Sequence, residues 1–321
     1  MYRTILERSD NLKRGITIGI PRAFLYYKYK DLWEIFFKEL GCNIILSPES
    51  NKEILRRGIE HSIDENCLSA KIYMGHVYSL IDKADYILVP RFCSFGHKEI
   101  VCTKFNAVYD IVRNTFKGVK LIHYDVDVLK KKTEFKGFIK MGLILKKNIF
   151  KVIKAYLKAK KIYHDNMLKR HLEQHNLVNN SNKLKMLVVA HPYNLYDKLM
   201  GVPIIKYLET LNILPVYADK VDQRECIKRS KKISTNLQWT YSQELIGAID
   251  YYHDKIDGII FISTFPCGPD SLVNELCIRK IKNIPILNIV LDELQSEVGL
   301  YTRIESFVDI IMARQRKKVY G

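Results

Sequence analysis

One order of segments occurs twice in this chain, and that recurrence restricts the fold more than any other feature. Gly15-Ile-Thr-Ile-Gly-Ile20 ends at Pro21, and Lys185-Met-Leu-Val-Val-Ala190 ends at His191-Pro192. Both are short apolar runs of the kind a strand buried on both faces needs. A helix expected over Asp31–Leu40 leads to a strand at Asn43–Leu46, and one over Met200–Leu211 leads to Leu214–Tyr217. Asp85–Val89 corresponds to Asp257–Ile262, and Lys120–Tyr124 to Ile284–Ile289. Pro21 and Pro192 are 171 residues apart, Asp85 and Asp257 172. Alternating strands and helices of this kind specify parallel sheets with crossover helices. The expected fold is α/β, with two Rossmann-like (flavodoxin-like) parallel-sheet domains at 1–127 and 183–321 facing across a cleft. The halves share an architecture rather than a residue pattern.

The joining segment, 128–182, is expected to be a long basic helix followed by a linker. Val128–Arg170 holds thirteen lysines and one arginine against Glu134 and Asp165. Phe138, Met141, Leu145, Ile149, Val152 and Tyr156 fall on one stripe of a continuous helix. The basic face reads either as a solvated bridge or as a docking face for an acidic partner or phosphates. Asn176–Asn182 reads as the linker. Ile304, Phe307, Val308 and Ile311 make a final amphipathic helix, whose tail Arg314–Lys318 is expected to be solvated.

The second constraint is Phe261–Glu275. The buried strand Gly258–Ile262 stops at Pro266-Cys267-Gly268-Pro269, and Asp270 and Ser271 offer N-cap oxygens to a helix reaching about Lys280. Cys267 therefore stands at the carboxyl end of a strand and beside a helix N-terminus, where open α/β sheets place ligands and the dipole favours a thiolate. A buried turn cysteine is the alternative.

Seven cysteines, at 42, 67, 93, 102, 226, 267 and 277, are too widely spaced for a disulfide framework. If the two modules face each other, Cys67, Cys93 and Cys102 lie in loops on the cleft side of the first and Cys267 on that of the second. Such a set suits a soft metal or an iron–sulfur cluster, although no Cys-x-x-Cys pair is present. Cys42 reads as core, Cys277 as a residue well inside a helix, and Cys226 as a helix-surface thiol. The formal charge of +17 attracts phosphates, acidic proteins or nucleic acid, but no nucleic-acid-binding module is recognisable. Residues 1–10 carry no secretory apolar region, and no run is long enough for a membrane span, so a cytoplasmic location is expected.

Asp64-Glu65-x-Cys67-x-x-x-Lys71 with Gly75-His76, then Val101-Cys102-x-Lys104, then Pro266-Cys267-Gly268, resemble the 2-hydroxyacyl-CoA dehydratase superfamily. They are most similar to its activase-associated branch, related to the 2-hydroxyglutaryl-CoA dehydratase subunits. Ile18–Arg22, His191–Asn194 with Asp197, Asp292-Glu293 and Thr302–Phe307 extend the resemblance over nearly the whole chain. Ser69 and Thr103 depart from it, since proline usually follows each cysteine motif there. The resemblance implies a [4Fe–4S] cluster between two domains, held by Cys67, Cys102 and Cys267. Cys93 is the candidate for a fourth ligand, or for a double-cubane cluster as in some relatives. It further implies a low-potential electron from an ATP-hydrolysing activase, itself an iron–sulfur homodimer. The activase must act in trans, because this chain has no Gly-x-x-x-x-Gly-Lys-Ser/Thr loop. The electron would pass to an acyl-CoA or other small substrate, as in a dehydratase-like lyase or an ATP-dependent reductase. A homodimer or a pair of homologous subunits would carry it out. A cluster-bearing or zinc-bearing assembly module without turnover is the alternative. Glu65, His76 and His191 are the candidates for proton transfer or for bonds to cluster sulfurs, with structural roles as their alternatives.

Overall fold

A computed structural model describes residues 15–294 and 296–320. The reading of residues 1–10, and the side chains of Lys317 and Lys318, lie outside what it describes. Strand β1 (Thr17–Ile20) leads through helix α1 (Tyr26–Glu39) to β2 (Asn43–Leu46). Helices α2 (Lys52–Glu60) and α3 (Leu68–Tyr78) precede β3 (Tyr86–Leu88). Then come β4 (Arg91–Gly96), β5 (Glu99–Ile100), α4 (Thr103–Thr115), β6 (Leu121–Ile122) and β7 (Asp125–Asp127). Helices α5 (Glu134–Ile144) and α6 (Ile149–Asn180) cross to the second half. It runs β8 (Lys185–Ala190), α7 (Pro192–Leu195), α8 (Gly201–Thr210), β9 (Leu214–Tyr217), α9 (Gln223–Ser230) and α10 (Thr240–Tyr252). It closes with β10 (Gly258–Thr264), α11 (Gly268–Lys280), β11 (Ile286–Leu291) and α12 (Glu297–Tyr320).

The two halves have the same topology. One four-stranded sheet has the order β2-β1-β3-β6 and the other β9-β8-β10-β11. Every neighbouring pair in both is parallel. These are the two Rossmann-like sheets that the recurring segments imply. Their central strands are largely apolar because helices cover both faces, and every residue of β1 and β10 is buried, Thr17, Ser263 and Thr264 included. A small third sheet, β5-β4-β7, is added at the end of β3. Among the described residues no helix is long and apolar enough to cross a membrane.

The connecting segment departs from expectation in two ways. The long basic helix is two helices: the chain breaks after Ile144, Lys146 takes a left-handed backbone (φ 55°), and Asn148 starts α6. Asn148 Oδ1 accepts the Phe150 N–H at 2.9 Å, a capping bond that a continuous apolar stripe conceals. The expected linker is helical to Asn180. Helix α6 bridges the halves, with Val152, Ala155 and Tyr163 in the core of the first sheet and Val178 against the second. Gln174 completes the join by donating to Tyr217 O and accepting from Tyr217 N–H, at 2.8 and 2.9 Å.

A buried hydrogen-bond chain also ties the halves. The Arg22 backbone N–H donates to Ser47 Oγ at 2.8 Å, and the Ser47 hydroxyl reaches His76 Nδ1 at 2.8 Å. His76 Nε2 meets Ser50 Oγ at 2.9 Å, and the Ser50 hydroxyl donates to the Asp197 carboxylate. Every donor points the same way when His76 is the neutral Nε2–H tautomer. Burial, with the Arg22 cation adding to it, holds His76 down to about 3. Burial also pushes Asp197 up to about 6, opposed by Ser50 and the Leu199 N–H. The two shifts have opposite linkage. A carboxyl raised on folding binds its proton more readily in the native state, so its contribution falls as pH rises from about 4 to about 6. A histidine lowered on folding contributes stability that grows over the same window. Asp197→Asn should therefore leave the histidine term unopposed. Relative to the parent, its unfolding free energy should slope upward by about 1.4 kcal/mol per pH unit between pH 4 and 6. Urea titrations across that range check this, and parallel curves for the two proteins contradict it.

Candidate functional site

Three helices begin at cysteines. Cys67 is the residue before α3, Cys102 the residue before α4, and Cys267 the residue before α11. The reason is local: Asn66, Val101 and Pro266 precede them in segments that leave a strand or turn, and the next few residues open a helical turn. All three thiols are half-buried and line one cavity, together with Ser69, His191, Tyr193, Thr264 and Asp270. Phe24, which follows β1, Tyr193, which follows β8, and Thr264 at the end of β10 place that cavity at the carboxyl ends of both sheets. That is where parallel sheets of this order bind ligands.

Contacts across the halves hold these helix starts together. The Leu68 N–H donates to Phe265 O at 2.9 Å, fastening the Cys67 turn to the Cys267 turn. Ser69 Oγ donates to Asn194 Oδ1 at 2.7 Å and lies 3.0 Å from Thr264 Oγ1. The hydroxyl that stands where proline is usual thus joins α3 to the second sheet. Lys71 Nζ pairs with Glu293 at 3.2 Å, and Lys104 donates to Asn66 Oδ1. Ile100 N–H donates to Gln238 O at 2.9 Å, which sets the Cys102 segment against the entry to α10.

Burial pushes all three thiols up from their ordinary value. The Asp270 carboxylate and the neighbouring sulfurs raise Cys267 further, and the Asp270 backbone N–H opposes them only in part. A thiolate favoured by the helix dipole alone is therefore not what the folded chain provides. Three protonated thiols and a carboxylate sharing an enclosed site are an arrangement that a bound cationic centre reverses, since coordination deprotonates a thiol. Among the described residues no three His, Cys, Asp or Glu side chains close on a single metal ion. The cavity is small, about 30 Å³.

Other sequence candidates are distributed differently. His191, 7% exposed, borders the thiols: its Nε2 meets Asp270 Oδ1 at 3.0 Å and its ring stacks on Tyr193 at 5.0 Å. His76 has both nitrogens engaged in the buried chain already described and does not line the cavity. Glu65 is exposed in the turn before Cys67 and does not line it either. Cys93, expected in a loop, stands on β4, where its thiol donates to Asn106 Oδ1 at 2.9 Å; it is not brought to the other three. Cys42 is a core residue, as expected, and Cys277 stands well inside α11, as expected, with its side chain fully buried. Cys226 is a correction: it is fully buried rather than on a helix surface, because α9 packs so closely on α10 that Gly247 faces Cys226 backbone. The sequence alone does not point to Asp270, Tyr193 or Ser69 as site residues; Asp270, three positions beyond Cys267, reads there as a helix cap, whereas α11 has no side-chain cap and the Asp270 carboxylate meets His191.

Comparison with known proteins adds one family. A family model described as CoA enzyme activase uncharacterised domain (DUF2229) matches residues 17–221, a span that includes Cys67 and Cys102 and stops short of Cys267. No curated protein matches the sequence. Among solved structures, a crystal structure of ZnuA is 10% identical with a TM-score of 0.24, covering 93% of this chain and 99% of its own. AdcAII of Streptococcus pneumoniae is 10% identical with a TM-score of 0.27, covering 93% and 98%. Likeness at that level carries no argument about ligand or activity.

Proposed function

The chain belongs to the family described as CoA enzyme activase uncharacterised domain (DUF2229), and from that premise we propose that it is an iron–sulfur redox protein served by an ATP-hydrolysing activase. The observation that carries this reading is the convergence of Cys67, Cys102 and Cys267, from two sheets, on one cavity. Those three residues would hold a [4Fe–4S] cluster. When bound, such a cluster supplies one-electron chemistry and, with three protein ligands, an iron position open to a substrate oxygen.

The protein's own groups supply the rest. Phe24, Tyr193 and Tyr241 supply aromatic walls to the cavity, and such low-polarity walls strengthen charge interactions beside them. His191 is the group placed to hold or move a proton: Asp270 engages its Nε2 and fixes the ring, which leaves Nδ1 as the exchanging nitrogen. Ser69, Asn194 and Thr264 position the helix starts. The electron's destination in this reading is a small molecule, an acyl-CoA in a dehydratase-like reaction or another acceptor in a reductase-like one, and its source is the activase in trans. A homodimer or a pair with a homologous subunit would present both partners.

The test is anaerobic: the iron-loaded protein is mixed with an activase and ATP, and the centre is followed by EPR. An ATP-dependent change of signal is expected. No change with ATP, where dithionite does reduce the centre, overturns the activase reading. Reduction without consumption of any acyl-CoA assigns the chain to a non-catalytic, cluster-bearing role.

A further inference from the structure

A second and much larger cavity, about 800 Å³, lies between α1, α6, α9 and α10. Its size is that of a site for a small organic ligand or cofactor, and it is far larger than the cysteine cavity. The charges at its floor are already matched. Lys28 pairs with Glu244, both side chains being 12% exposed, and its ammonium stands 4.8 Å over the Tyr241 ring. Asp219 is satisfied by the Tyr196 hydroxyl, at 2.9 and 3.1 Å to its two oxygens.

The cations around it are different. Lys30 on α1, Lys220 in the turn after β9, and Arg224 on α9 all line the cavity, and none has a carboxylate partner among the described residues. Of the lining carboxylates outside the floor, Asp222 is occupied in capping α9, accepting the Glu225 N–H at 2.9 Å. Asp165 is exposed. The rings of Tyr27, Tyr193 and Tyr196 line the cavity as well, and the Lys220 ammonium, without a carboxylate, stands 3.9 Å over the Tyr217 ring. Three cations delivered by three separate elements exceed what one carboxylate needs and suit a dianionic group, while the tyrosine faces suit a flat ring.

We propose that this cavity binds a phosphate ester carrying an aromatic or heteroaromatic ring, with the phosphate between Lys30, Lys220 and Arg224 and the ring against the tyrosines. Binding of this kind does not depend on iron at the cysteines, although Phe24, His191, Tyr193 and Tyr241 form a wall common to both cavities.

Phenyl phosphate, inorganic phosphate and phenol separate the contributions of ring and charge. Titration calorimetry on metal-free protein, and again on Cys67→Ser, should show saturable binding of phenyl phosphate at least about tenfold tighter than either fragment. Affinity should fall with added salt, since the recognising charges are partly exposed. Lys30→Glu with Arg224→Glu should weaken it by at least about tenfold, with far-UV circular dichroism unchanged; Lys30→Gln with Arg224→Gln serves if the reversed charges disturb folding. Absence of saturable binding, phenol binding as well as phenyl phosphate, or unchanged affinity in the variants would overturn the assignment. Because the Cys67→Ser protein is included, loss of the metal centre and loss of this site are read separately.

Discussion

Gly75→Ala is expected to destabilise the protein severely and to take the cysteine site with it. A methyl group on Gly75 would stand 1.9 Å from Ile54 O and 3.1 Å from Gly58 N, so the obstruction is backbone rather than a side chain that can swing aside. Gly58 meets the same limit from the other helix, at 1.9 Å from Lys71 O. Helices α2 and α3 cross at these two glycines, and α3 is the helix that starts at Cys67. Ordinary overpacking costs about 1–3 kcal/mol, and a collision with peptide groups falls at or beyond the upper end. Gly268→Ala is the matched control: it sits next to Cys267, has nothing within 4 Å of the added carbon, and should leave the melting temperature close to that of the parent. Thermal and urea unfolding of the two variants check the ordering. A Gly75→Ala protein as stable as Gly268→Ala would show that α2 and α3 do not meet as described.

Among the cysteines the expected pattern is equally uneven. Cys67→Ser, Cys102→Ser and Cys267→Ser should each reduce iron retained after anaerobic reconstitution to background. Cys93→Ser should retain it, since that thiol is directed to Asn106, and so should Cys226→Ser, whose sulfur is enclosed between α9 and α10. Iron and sulfide content with the visible absorption of each variant is the measurement. Equal loss in all five would point to general damage to the fold. Loss in Cys93→Ser alone would move the site to β4.

The sheet order was legible because strand ends in this chain coincide with proline: Pro21 and Pro192 mark the same corner of two modules, and helix and strand follow each at the same interval. The helix start at Cys267 was legible only to within about three residues: Asp270 and Ser271 carry the usual cap oxygens, whereas α11 already begins at Gly268 and has no side-chain cap. The break between α5 and α6 was hidden. The apolar stripe continues through Leu145 and Ile149, whereas the break depends on a left-handed Lys146 and on one capping oxygen of Asn148. Strand β4 was hidden as well. Pro90-Arg91 reads as a turn, yet Phe92 and Ser94 alternate inward and Arg91 and Phe92 pair with Asp125 and Val126. Helices α9 and α10 carry weak sequence signals and owe their burial to each other. At the site, the thiols could be named from sequence, but Ser69 with Asn194 and Thr264 could not, because hydrogen bonds between distant segments leave no periodicity. The rise of the Cys267 thiol is hidden in part for the same reason: the helix start is local, whereas burial, and the sulfurs of Cys67 and Cys102 that add to the charge of nearby Asp270, depend on the two other segments that meet it.

The central claim is that Cys67, Cys102 and Cys267 share one inorganic centre. Its most direct test is iron and acid-labile sulfide analysis, with EPR, of the protein purified or reconstituted without oxygen. About four iron and about four sulfide per chain, with a reducible cluster signal, is the predicted result. A colourless protein that retains no stoichiometric iron after reconstitution would contradict it.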